Sequence, residues 1–260
     1  MRRYTAIIIA VISLLATSCE MGHGTMYRQP IDIGDTIAEH AHMCITQTNK
    51  PIMIALLCNT YYSTEDETIR ESIEELIYNI VGAKIDRNDT KSAITITDMT
   101  SVEIFYSFNT SEGLLSEGGT WSLGDSYTIL FTPKEEGIEV IVDIPEYYSN
   151  PGNASYMVQD ISYDIENGLN YKLSGSIELQ YGNDGTTLKT TISEPLSYST
   201  MSDKHSNIYN YTLVGFYDGS AEAVYHDAVS DTYDNVHMEY TDSEYIKVSY
   251  LGYTGRITNN

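Results

Sequence analysis

The chain has 260 residues, with 14 Lys and Arg against 37 Asp and Glu, giving a net charge of −23. That balance, with no basic cluster to neutralise phosphates, argues against nucleic-acid binding. It favours solubility and partners that are basic, neutral or bridged by divalent cations.

The aromatic inventory is lopsided, with 23 Tyr against 4 Phe and 1 Trp. Tyrosine suits half-buried sheet positions, where the ring packs and the hydroxyl reaches a wet rim, and it suits sugar binding equally. The chain opens with Arg2 and Arg3, an apolar run from Ala6 to Leu15, and the small polar stretch Ala16-Thr17-Ser18 before Cys19. That order is the layout of a secretory signal peptide. As a helix the apolar run would span about 15 Å, roughly half a bilayer's hydrocarbon core, too short for a stable span.

Residues 15–19 resemble the lipobox of bacterial lipoproteins in its relaxed, Ser-Cys-ending Bacteroidota form, with Leu15 one place further from the cysteine than in the strict pattern. The resemblance implies cleavage after Ser18 and a diacylglycerol on the Cys19 thiol. Two or three acyl chains meet the requirement for stable anchoring. An Asp after the cysteine would resemble the inner-membrane retention signal of enteric bacteria. Glu20 stands there instead, so outer membrane is expected, with the orientation of the body open. Removing residues 1–18 takes away two arginines and no acids, moving the charge from −23 to −25. Beyond the lipobox the chain resembles other Bacteroidota lipoproteins only in broad pattern.

Residues 19–33 carry Gly22, Gly24 and Pro30 without clear periodicity and read as a lipidated tether. A helical segment is expected over 34–82. Thr36-Ile37-Ala38-Glu39 has capping-box spacing, and the helix it opens is expected to stop near Asn49-Lys50-Pro51. The run Ile52 to Cys58 fits a buried helix or a strand. Thr64-Glu65-Asp66-Glu67 repeats the capping box. Behind it Ile69, Ile73, Leu76, Ile77, Ile80 and Val81 form a helical apolar stripe that Gly82 ends.

After Gly82 the period changes to 2. The clearest strand is Tyr171-Leu173-Gly175-Ile177-Leu179-Tyr181, turned by residues 182–185 into Leu188 to Ile192. Similar pairs are 127–132 with 138–144 and 236–240 with 246–250. Further strands are expected near 93–98, 102–108, 156–165, 208–217 and 221–229. Short connections imply an antiparallel meander. The expected fold is α+β, mostly β: N-terminal amphipathic helices packed on a large antiparallel sheet, as a curved sheet, sandwich or open barrel. Residues 34–260 read as one unit, with 150–153 as the best boundary within the β region of 83–260.

Candidate chemistry is sparse. On a strand, His40, His42 and Cys44 would share a face and offer three metal ligands, whereas on a helix His42 points away. Cys44 and Cys58 suit a disulfide only if the chain reverses at residues 49–51, since one continuous helix would hold them about 21 Å apart. Their apolar neighbours suit buried thiols as well. Asp218, Glu222, Asp227, Asp231, Asp234, Glu239, Asp242 and Glu244 are dense enough to suggest Ca²⁺, although no dedicated loop spacing occurs and Asp86 to Asp89 imitates one poorly. Asp35-Thr36-Ile37 resembles the O-glycosylation signal of exported Bacteroidota proteins, which would place a glycan on Thr36. Enzyme motifs are absent, and His205, His226 and His237 stand isolated in polar segments. No cofactor is expected.

The leading expectation is a membrane-anchored envelope lipoprotein with a non-catalytic binding or assembly role toward a glycan, peptide or protein. The alternatives are a carrier or chaperone holding an apolar ligand on an open concave face, and a glycan hydrolase built on two carboxylates. Whether helices fill the concave face decides between the first two.

Overall fold

The computed structural model describes residues 30–81, 83–85, 93–98, 103–108, 118–123, 127–144, 152–181, 184–200, 215–241 and 244–259. Among the described residues two helices, α1 (Pro30–Ser63) and α2 (Glu67–Val81), precede thirteen strands. The strands are β1 (Ala83–Ile85), β2 (Ala93–Asp98), β3 (Glu103–Phe108), β4 (Gly119–Leu123), β5 (Tyr127–Lys134), β6 (Gly137–Ile144), β7 (Gly152–Asp164), β8 (Gly168–Tyr181), β9 (Thr186–Ser199), β10 (Phe216–Asp227), β11 (Thr232–Tyr240), β12 (Tyr245–Tyr250) and β13 (Tyr253–Thr258). They form one open sheet in which every strand pairs antiparallel with its sequence neighbours. The mostly-β meander with N-terminal helices is therefore the fold.

Alternation sets the two faces. In β8, Tyr171, Leu173, Ile177 and Leu179 are buried, while Lys172, Glu178 and Gln180 are exposed. The inward residues of β5 to β13 join those of both helices in one apolar cluster. β7 begins at Gly152 and pairs on both sides, so residues 150–153 connect two strands of the same sheet.

The sheet curls around α1. Two residues along a helix are about 200° apart, and His40 meets Tyr181 of β8 while His42 meets Tyr240 of β11. Opposite sides of one helix thus face strands three places apart. Every residue from Pro51 to Cys58 is buried, so two turns of α1 are enclosed all the way round. Gly34 permits a close approach, because a Cβ there would lie 2.5 Å from the Tyr250 Cβ.

The helix boundaries differ from the capping-box reading. α1 begins at Pro30, where fixed φ and a missing amide suit a first turn, and it runs through Pro51. Thr36 lies inside it, with its hydroxyl donating to the Asp32 carbonyl at 2.8 Å instead of capping. Pro51 deprives the Gln47 carbonyl of its partner, but Gln47 is on the exposed stripe of the helix. The enclosure of the turns that follow outweighs one lost bond. The cap of α2 is Asp66, whose carboxylate accepts the Thr68 amide at 2.8 Å; the Thr64 hydroxyl accepts only the Asp66 amide. In α2, Ile73, Leu76 and Ile77 are buried as the stripe requires. Gly82 lies outside the described residues.

Strands near 93–98 and 103–108 fall where alternation puts them. The expected strand at 221–229 is part of β10, which begins earlier, at Phe216, while most of the expected strand at 208–217 lies outside the described residues. β9 continues beyond Ile192 through Pro195, at a register irregularity against β10. There Gly219 (φ 109°) lets the backbones close up, since a Cβ would come within 2.4 Å of the Pro195 carbonyl oxygen.

Gly175 (φ 133°) sits at the β8–β9 register shift, where a Cβ would stand 2.0 Å from the Ser155 carbonyl oxygen. Gly175→Ala is expected to lose about 2–4 kcal/mol through backbone strain and displacement of β7. Urea unfolding measures this, and an unchanged midpoint would mean the close approach is dispensable.

Candidate functional site

Five of the tyrosines form an interior polar seam between the sheet and the helices. The ring of a buried tyrosine fills core volume, but its hydroxyl needs a partner. Tyr156 of β7 shares a 2.8 Å hydrogen bond with Thr48, and Tyr171 of β8 donates to Asn49 Oδ1 at 2.6 Å. The hydroxyl of Tyr198 in β9 contacts Met53 Sδ at 2.9 Å, and that of Tyr240 in β11 lies 3.2 Å from His42 Nδ1. Tyr163 reaches Ser72 of α2 at 2.8 Å. Burial pushes the hydroxyl pKa of Tyr156, Tyr171, Tyr198 and Tyr240 up, so these are neutral hydrogen-bonding groups. The structural role of tyrosine is therefore visible residue by residue along α1.

Cys19 lies outside the described residues, as do His205 and the segment 86–89. Cys44 and Cys58 share the unbroken helix α1 and form no disulfide, which corrects the chain-reversal option. Burial pushes the Cys44 thiol up to about 12, so it carries no thiolate near neutral pH. Thr36 is half-buried on α1.

His40 and His42 diverge because they are on a helix. His40 stacks on Tyr181 with ring centroids 6.1 Å apart, and burial lowers its pKa. Among the described residues no group of three or more His, Cys, Asp or Glu is arranged to hold a metal. The acids of the C-terminal third are spread over separate local partners. Glu222 pairs with His237 at 2.7 Å, Glu239 with Lys247 at 2.6 Å and Asp231 with His226 at 3.3 Å, while Asp234 accepts the Tyr250 hydroxyl at 2.5 Å.

The sheet presents two surfaces to a partner: its outer face and its hairpin ends. The outer face is low and polar. One rung across β7 to β13 reads Ser155, Ser176, Thr191, Glu222, His237, Ser249 and Thr254. The hairpin end nearest Gly34 differs. Val229 in the β10–β11 turn is 80% exposed and Leu251 in the β12–β13 turn 72%, with Tyr233 at 60% and Tyr253 at 49% beside them. No other large hydrophobic side chain among the described residues exceeds 42%. Sequence reasoning missed these four, because periodicity treats them as ordinary strand ends. The Leu251-Gly252 pair, placed where Asn-Gly is usual, was the available signal. In comparisons with known proteins, no family model, curated protein or solved structure matches the chain.

Two measurements test the seam. Tyr171→Phe leaves Asn49 Oδ1 buried without its donor and is expected to cost about 1–3 kcal/mol. Exposed Tyr217→Phe should stay within about 0.5 kcal/mol, so equal effects in urea unfolding would refute the assignment. His42 is 5% exposed, and burial lowers its pKa from 6.5 to about 4. Folding thus favours the neutral ring: its contribution is fully present above about pH 6.5 and is lost as pH falls toward 4, by up to about 3 kcal/mol. The drop in unfolding free energy between pH 7 and 4.5 should be smaller in His42→Gln than in the wild type; identical drops would exclude His42 as the cause.

Proposed function

We propose that the chain is an outer-membrane lipoprotein, anchored through Cys19, whose non-catalytic binding or assembly role is carried by the outer surface of its sheet. The observation behind this reading is the enclosure of α1: residues 51–58 occupy the concave face that a carrier would need for an apolar ligand. With the interior filled by the chain itself, recognition of a glycan, peptide or envelope protein falls to the exterior. The outer face offers hydroxyls, carboxylates and Lys–Glu pairs such as Lys189–Glu178 and Lys134–Glu139. These suit hydrogen bonding to a polar partner.

The anchor rests on residues 1–19, with a positive n-region, a short apolar run and a small-residue approach to Cys19. Cells fed a labelled fatty acid should mark the wild-type chain and leave Cys19→Ser unlabelled and released from the membrane fraction. Label persisting in Cys19→Ser would overturn the anchor. Protease added to intact cells then reads orientation, since a surface-facing body is cut and a periplasmic one is protected.

A further inference from the structure

We propose that the hairpin end carrying Val229, Tyr233, Leu251 and Tyr253 rests on the bilayer that holds the Cys19 lipid. This inference rests on the lipoprotein reading. The first argument is position. Strands β8 to β13 run so that the turns at 184–185, 228–231 and 251–252 lie at one end of the sheet. The N-terminus of α1 leaves at that same end, because Gly34 packs on Tyr250, the residue before Leu251. Between Cys19 and Pro30 lie about ten residues, which reach at most ~35 Å. The anchor therefore draws this end, and not the opposite one, toward the lipid.

The second argument is composition. The four most exposed large hydrophobics among the described residues all occur here, on two adjacent hairpins. Tyrosine favours the membrane interface, where its ring meets acyl chains and its hydroxyl meets headgroups. Leu251 is held at φ 48°, followed by Gly252 at 82°, a two-residue turn in which Asn or Asp is the less strained choice. A leucine kept there, 72% exposed, gains nothing from the fold. Val229 is presented by Asp227, whose carboxylate accepts the amides of Val229 at 2.9 Å and Ser230 at 3.3 Å.

Charge selects the lipid. Asp32, Asp184 and Asp231 are exposed at this end, and no Lys or Arg among the described residues lies in these turns. The contact therefore suits a zwitterionic interface, and an anionic one weakens it.

The test uses the full chain extracted from membranes and reconstituted into phosphatidylcholine vesicles with brominated acyl chains. Tryptophan is placed at Val229→Trp, at Leu251→Trp and, as a control in the opposite β7–β8 turn, at Glu166→Trp. Emission is read against the parent chain, which carries Trp121. The first two should shift to the blue and be quenched, the third should do neither, and added anionic lipid should reduce the quenching. Water-like emission at residues 229 and 251, or equal quenching at 166, overturns the proposal. Flotation and the fatty-acid label report the anchor separately. If the chain proves unlipidated, coupling Cys19 to a maleimide phospholipid lets the same three readings decide the docking alone.

Discussion

The seating of α1 inside the sheet is the interaction on which the rest of the structure depends. A helix with eight consecutive buried residues cannot exist in water by itself, and the open sheet has no second sheet layer among the described residues. Each supplies the apolar partner the other lacks. Burial is non-directional, however, and would allow α1 to slide or rotate. The tyrosine hydroxyls remove that freedom. Tyr156, Tyr171 and Tyr240 reach Thr48, Asn49 and His42 from different strands, and each loses its partner if the helix shifts by a turn. Phenylalanine at these positions would keep the volume and lose the register, so tyrosine is required at these three positions for its hydroxyl.

Much of the fold was legible in the sequence because its signals are local. Alternation gave β8 and the hairpins around it, and the 3.6-residue stripe gave α2, since each pattern is written in adjacent residues. The errors arose where a local signal met a non-local constraint. Thr36 has the spacing of a cap, and Pro51 is the usual end of a helix, yet α1 passes through both because strands far along the chain, β7 to β13, pack on it. Pro195 likewise stays within β9 because Gly219, on a different strand, yields the space.

The candidate site was less legible, for a different reason. His40, His42, Cys44 and Cys58 looked reactive as residue types, and a helix then dispersed them: three of the four point into protein, where burial suppresses ionisation or pairs the ring. Val229 and Leu251 looked ordinary, since an apolar residue at a strand end is common. Only their joint exposure on neighbouring turns, beside the N-terminal end of α1, gives them meaning. Such information lies in the pairing of hairpins and cannot be read along one.

The order of the elements also governs how this protein comes into being. α1 is made first, but the strands it packs on include β10 to β13, which follow it by more than 150 residues. Until residue 258 has arrived, the apolar girdle at 51–58 lacks part of its cover. A polypeptide released early, by nonsense mutation or by a protease cutting between β9 and β10, is left with a bare greasy rod and half a wrapper. Folding is thereby tied to synthesis through β13, and quality control meets chains truncated before it as sticky, degradable species rather than as smaller working proteins.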